Sequence, residues 1–136
     1  IKVAHAAGKL VFISYHNFEL TPELDELNSI AQKAKRLGAD VIKISTHVRN
    51  QKDLQTLASF TIANAESCVV TIGMGSQGML SRLFYPALGS RLVYAYIGQP
   101  TAPGQLDFEN TFYLLRKFYS SFNQKKIISL KLFEAA

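Results

Sequence analysis

A chain of 136 residues with 48% hydrophobic content is long enough to bury one core and too short for a second independent domain. Its net charge of +5 is dispersed over Lys33, Lys35 and Arg36, then Arg116 and Lys117, then Lys125 and Lys126, without an interleaved aromatic stripe; solvated helix faces and an anionic small-molecule substrate fit this pattern, and nucleic acid does not. No apolar run reaches the roughly 20 residues that span a bilayer, so no membrane partner is expected, and the single Cys68 excludes an internal disulfide and a multi-thiolate zinc site, which fits a reducing, cytoplasmic setting.

Four short apolar runs recur, at Leu10 to Tyr15, Val41 to Ser45, Cys68 to Met74 and Leu92 to Ile97, each rich in Val, Ile or aromatic residues. A helical pattern follows each. After the first run, Thr21 is expected as N-cap and Pro22 as the first helical residue. Leu24, Leu27, Ile30, Ala31, Ala34 and Leu37 make the stripe, and Gly38 is the stop. A second helix is expected from about Gln51 to Asn64, with Leu54, Leu57, Ala58 and Ile62 inward. The third follows Gly78 and carries Leu80, Leu83 and Phe84; the fourth follows Gly104 and carries Phe108, Phe112, Leu115 and Tyr119. Strand and helix alternating at roughly 25 to 30 residues per unit imply right-handed parallel crossovers and an α/β sheet. Two architectures satisfy this pattern, a small open doubly wound sheet and half of an eight-stranded barrel, and both gather ligands at the C-terminal ends of the strands.

Lys43 stands out within Val41-Ile42-Lys43-Ile44-Ser45, because an ammonium is expensive to bury unless it is paired or loses its proton. Burial lowers a lysine pKa, and the neutral amine can attack a ketone to form a Schiff base. The competing reading is an edge or snorkelling lysine whose head reaches water. By the period of two, Leu10, Phe12, Ser14 and His16 share one face of the first strand, and Val41, Lys43 and Ser45 share one face of the second. His16 thus lies at or just past a strand's C-terminal end, as a hydrogen-bonded structural residue or as a proton shuttle beside the lysine. His5 and His47 have weaker claims. A metal site from His16 and His47 is disfavoured, since neither makes a short ligand spacing with the other or with a nearby carboxylate.

Gly73-Met74-Gly75-Ser76-Gln77-Gly78 matches the glycine pattern of a dinucleotide-binding loop, but the acid expected about 20 positions later is missing between Arg91 and Pro100. A tight turn approaching a ligand is the better reading, with backbone amides and Arg82 able to hold an anion. Thr101-Ala102-Pro103-Gly104-Gln105 is a turn before the last helix that presents the hydrogen-bonding groups of Thr101 and Gln105 at the same end as Lys43.

In order and spacing, Ser14-Tyr15-His16-Asn17-Phe18 with Thr21-Pro22, Gly38-Ala39-Asp40-Val41-Ile42-Lys43-Ile44, Gly78-Met79-Leu80-Ser81-Arg82 and Ala102-Pro103-Gly104-Gln105 resemble the C-terminal half of type I 3-dehydroquinate dehydratase, from about Val11 to Phe122. The resemblance implies an α/β fold made of the C-terminal half of a (β/α)8 TIM barrel, with four parallel βα units. Residues 1–124 would form that partial barrel, and 125–136 a tail or the start of a following segment. It further implies a lyase of the shikimate pathway that converts 3-dehydroquinate to 3-dehydroshikimate without a cofactor or a metal. Lys43 would form the imine and His16 would be the general acid and base. Arg82 would bind the substrate carboxylate, Thr101 and Gln105 would belong to a loop closing over the substrate, and Met74 and Tyr94 would line the walls. A homodimer is implied for the full-length family form.

The resemblance also implies an N-terminal half carrying an acidic residue near the histidine and further substrate-binding groups, with no counterpart in this sequence. Because the first residue is Ile1, the chain is expected to be processed or a piece of something longer, and as an isolated half-barrel to be unstable or self-associating. The rival functions are a non-catalytic half-barrel that serves as an interaction module, and another Schiff-base enzyme of aldolase type.

Overall fold

The computed structural model describes residues 1–119, so the expected tail from Lys125 to Ala136 lies outside the described residues. In chain order the elements are α1 (Lys2–Ala6), β1 (Phe12–Asn17), α2 (Leu24–Arg36), β2 (Val41–His47), α3 (Gln51–Ala63), a 3-10 turn (Ala65–Ser67), β3 (Val69–Met74), α4 (Ser81–Leu88) and α5 (Phe108–Phe118). The strands form one parallel sheet in the order β1-β2-β3. Ser14 stands opposite Lys43 and Lys43 opposite Val70; one layer further on, His16, Ser45 and Ile72 align in the same way.

β2 is the middle strand, which accounts for its nearly unbroken burial. Ile42 and Ile44 turn to the helix layer, where Leu27 and Ala31 of α2, Leu57 and Phe60 of α3 and Tyr85 of α4 enclose them. Each buried side chain of the size of Leu57 contributes about 1.5–3 kcal/mol. Alternation sends Val41, Lys43 and Ser45 to the opposite face, where Val41 packs with Val70 and Ile72. On that face β1 is open, with Phe12 44% exposed.

The expected cap at Thr21 is not observed. α2 begins at Leu24 with Glu23 as N-cap and no side-chain cap bond. The Thr21 hydroxyl instead donates to the His47 carbonyl at 2.9 Å and lies 2.9 Å from the Thr46 hydroxyl. Since its one proton goes to His47, Thr46 is the donor between the two hydroxyls. The threonine is drawn across to the end of β2, and the helix starts after it. Gly38 does end α2, at φ +94°.

Several expected apolar helix positions also point outward, among them Leu37, Ile62, Leu80, Phe84 and Phe108. Leu37 follows the last turn of α2, and Ile62 lies five residues beyond the buried Leu57, so Phe60 and Thr61 take the inner positions of α3.

The run from Leu92 to Ile97 does not extend the sheet; its one pairing is a bridge of Tyr96 with Asp107. The edge of β3 explains this. In a parallel ladder the amides of Thr71 and Gly73 face away from β2, and here they donate to the hydroxyls of Ser90 at 3.0 Å and Ser81 at 2.9 Å. Arg91 takes the Val69 carbonyl, and the ladder goes no further. Two serines occupy the donors that a fourth strand would use, which also shields the edge. The described residues therefore hold three strands of the four expected.

Candidate active site

A cleft of about 230 Å³ opens at the C-terminal ends of the strands, on the face that carries Lys43. Four parts of the chain build it: the ends of β1 and β2, the wall of β3 with Ile72 and Met74, Arg82 of α4, and the loop from Tyr94 to Gln105. The five residues singled out in the sequence, His16, Lys43, Arg82, Thr101 and Gln105, all line it.

Lys43 reaches the cleft because the alternation of β2 turns it away from the helices. Its ammonium nitrogen lies 4.4 Å from the centroid of the Tyr94 ring. Burial pushes its pKa below the ordinary lysine value, and the positive charge of Arg82 adds to that shift. His16 stands at the open edge of the cleft, its ring stacked on Phe18 with centroids 6.1 Å apart and planes 11° apart. Partial burial lowers its pKa from the usual value, and the Lys43 charge lowers it further. The chain leaves β1 in a fixed direction, since the Asn17 side-chain carbonyl accepts the amides of Glu19 and Leu20, both at 3.0 Å.

Arg82 is only 4% exposed and carries a guanidinium with five donors. Nε donates to the Gly104 carbonyl at 2.8 Å and Nη1 to the Tyr94 carbonyl at 3.2 Å. No carboxylate pairs with it among the described ion pairs. Burial lowers its pKa, yet a guanidinium stays charged at any ordinary pH. The result is a fixed positive charge at one wall of the cleft, suited to an anionic ligand group. In the loop that Arg82 anchors, Thr101 donates its amide at 2.8 Å and its hydroxyl at 3.0 Å to Oε1 of Gln105, so the two loop residues form one unit.

The glycine run proves to serve close packing. A Cβ on Gly78 would come within 2.4 Å of the Gly73 carbonyl carbon, and one on Gly104, at φ +71°, within 2.2 Å of the Gly75 carbonyl oxygen. Its amides are occupied too: Gly73 donates to Ser81, Gly75 to the Pro103 carbonyl, and Gly78 to the Gly75 carbonyl. The three glycine amides thus serve the packed turn, and Arg82 brings a positive charge suited to an anion.

His47 packs its ring against Gly75 and does not join His16. His5 sits at the far end of the sheet, with Nε2 2.8 Å from Asp40 Oδ2, and that oxygen also accepts the Val11 amide. Among the described residues no group of three or more His, Cys, Asp or Glu could hold a metal ion. Phe18, Ser45, Ile72 and Ala102 line the cleft without having been assigned to it from the sequence. Ser45 was legible as the next same-face residue after Lys43, whereas the stacking of Phe18 on His16 depends on how the chain turns beyond β1.

Comparison with known proteins places this geometry. The family model described as "Type I 3-dehydroquinase" matches residues 1–125. The 3-dehydroquinate dehydratase of Thermodesulfovibrio yellowstonii is 36% identical over 103 residues, 76% of this chain and 46% of that protein. The one from Coxiella burnetii is 37% identical over 118 residues, 85% of this chain and 50% of that protein. Among solved structures, the type I 3-dehydroquinate dehydratase of Clostridium difficile, which holds covalently modified comenic acid, superimposes with a TM-score of 0.81 at 30% identity, over 89% of this chain and 49% of that one. The chain spans about half the length of the curated relatives it matches. With residues 1–125 matched and an α/β fold shared with these structures, the chain belongs to the type I 3-dehydroquinase family.

Proposed function

We propose that this chain supplies the imine-forming half of a dehydratase acting on 3-dehydroquinate, as the C-terminal half of a (β/α)8 barrel. The observation that carries this reading is the convergence of Lys43, His16 and Arg82 on one cleft with Thr101 and Gln105 at its rim. The neutral Lys43 amine adds to the substrate ketone, and loss of water leaves an iminium on the lysine nitrogen. That cation accepts the electron pair released when His16 removes a proton from the adjacent carbon. The resulting enamine expels the neighbouring hydroxyl, which takes a proton from His16 and departs as water. Hydrolysis of the conjugated iminium returns the amine and releases 3-dehydroshikimate. Arg82 holds the substrate carboxylate throughout, and the unit of Thr101 and Gln105 closes over it. The lowered pKa values of Lys43 and His16 support these roles, because attack on the ketone begins from the neutral amine and proton abstraction from the neutral imidazole. Covalent chemistry also accords with the covalently modified ligand held by the Clostridium difficile relative.

The remaining strands would come from an N-terminal half-barrel, and a homodimer of the complete form is part of the proposal. The open face of β1, with Phe12 exposed, favours a second half over it. The same feature suits the rival reading of a non-catalytic assembly module. Turnover decides between them: formation of the conjugated enone is followed by absorbance in the chain joined to, or mixed with, the N-terminal half of a relative such as the Coxiella burnetii protein. Activity that disappears in Lys43→Met supports the dehydratase, and activity that survives this substitution refutes it.

A further inference from the structure

Tyr94 touches both the lysine and the arginine of the cleft. Its ring lies 4.4 Å from the Lys43 ammonium, and its main-chain carbonyl accepts from Nη1 of Arg82 at 3.2 Å. Arg82 is in turn anchored by Nε on the Gly104 carbonyl, so Tyr94 is held at its backbone while its ring remains over the cleft. An aromatic face attracts a cation through its quadrupole, and the attraction strengthens where water is partly excluded.

We infer that Tyr94 is a positioning residue for the reactive amine: its π face holds the Lys43 nitrogen in place as ammonium and again as iminium, at a distance from Arg82 that its own backbone helps to fix. The role extends the proposed function, on which its catalytic meaning rests. Amine condensation with a ketone, with one proton taken up and one water released, restores a positive charge at the same nitrogen, so a single ring face serves the resting and the covalent states. The charged groups facing Lys43 are His16 from β1 and Arg82 from α4; β3 presents Val70, Ile72 and Met74, which carry no charge. Both burial and Arg82 work against the ammonium at this position. Tyr94 is the compensating group, and it acts without a formal negative charge that could bond the amine and block attack.

The test is competitive labelling of the 136-residue chain with trace acetic anhydride across pH, with mass analysis of the peptide carrying Lys43. Four proteins are compared: the natural chain, Tyr94→Phe, Tyr94→Leu, and the chain with 3,4,5-trifluorophenylalanine at position 94. The phenylalanine variant keeps the ring face and is expected to hold the labelling midpoint of the natural chain. The leucine and trifluoro variants are expected to bind the Lys43 proton about two- to fivefold more weakly, moving the midpoint to lower pH. The trifluoro ring retains shape and packing, so it separates the π interaction from any loss of folding. A trifluoro variant that keeps the natural midpoint overturns the inference, as does a phenylalanine variant that shifts as far as leucine. No substrate enters this measurement, so its failure is distinct from failure of Lys43 to form an imine.

Discussion

Arg82 donates Nε–H to the carbonyl of Gly104 across 2.8 Å, tying α4 to the loop that carries Thr101 and Gln105. Gly104 can occupy that place only as glycine, at φ +71° with its Cα against the Gly75 carbonyl. The fixed charge of the cleft and the loop over its rim therefore share this contact.

Gly104→Ala is expected to displace the loop. The left-handed backbone conformation alone costs an alanine about 1–2 kcal/mol, and the added methyl would meet the Gly75 oxygen at 2.2 Å. Far-UV circular dichroism should be unchanged, because the sheet and its helices lie outside the contact. Covalent capture of 3-dehydroquinate by the chain should fall at least about tenfold, the equivalent of 1.4 kcal/mol. Capture equal to that of the natural chain would show that the loop has no part in binding.

Thr21 and Thr46 form a second test, of stability. Thr46 is fully buried and donates its hydroxyl to Thr21, which donates to the His47 carbonyl. Thr21→Val leaves a buried donor and a carbonyl without their partner and should cost about 1–3 kcal/mol in urea unfolding. Adding Thr46→Val removes the stranded hydroxyl, so the double variant should be less destabilised than the sum of the singles. Strict additivity would mean that the two hydroxyls do not interact.

The His16 titration gives a test with a defined sign. Burial and the Lys43 charge both lower its pKa, so in the folded chain the imidazole should stay neutral to a pH below the ordinary value of 6.5. Lys43→Met removes one of the two causes, and the NMR midpoint of His16 should rise while remaining below 6.5. Stability follows the same sign: for a histidine with a depressed folded pKa, the unfolded state binds the proton more readily. The contribution of His16 should therefore weaken as pH falls from 6.5 through the folded value. An unchanged midpoint in Lys43→Met would separate the two groups electrostatically.

Much of this was legible in the sequence because period and position are local. The alternation of Val41 to Ser45 placed Lys43 on one face, and the same rule placed His16 one layer above its neighbour Ser14. The helices were found from their apolar stripes and from Gly38. What escaped was decided by contacts that only the folded chain reveals. Thr21 looked like a helix cap and became a partner of Thr46, 25 residues away. The run Leu92 to Ile97 had the composition of a strand, but the outward amides of β3 were already taken by Ser81 and Ser90. The glycines of Gly73 to Gly78 suggested a ligand cradle, whereas their close packing involves Pro103 and Gly104 from a loop some 30 positions later. In each case a side chain or backbone group had two chemically acceptable partners, and the three-dimensional fold selected between them.

The central claim concerns the Lys43 amine and is tested most directly by trapping. The chain is incubated with 3-dehydroquinate, reduced with borohydride, digested and examined by mass spectrometry, with Lys43→Met alongside. The account predicts a single substrate-derived secondary amine on the peptide containing Lys43, and none in the variant. Labelling at another lysine, or at none when the chain is combined with a complementing N-terminal half, would contradict it.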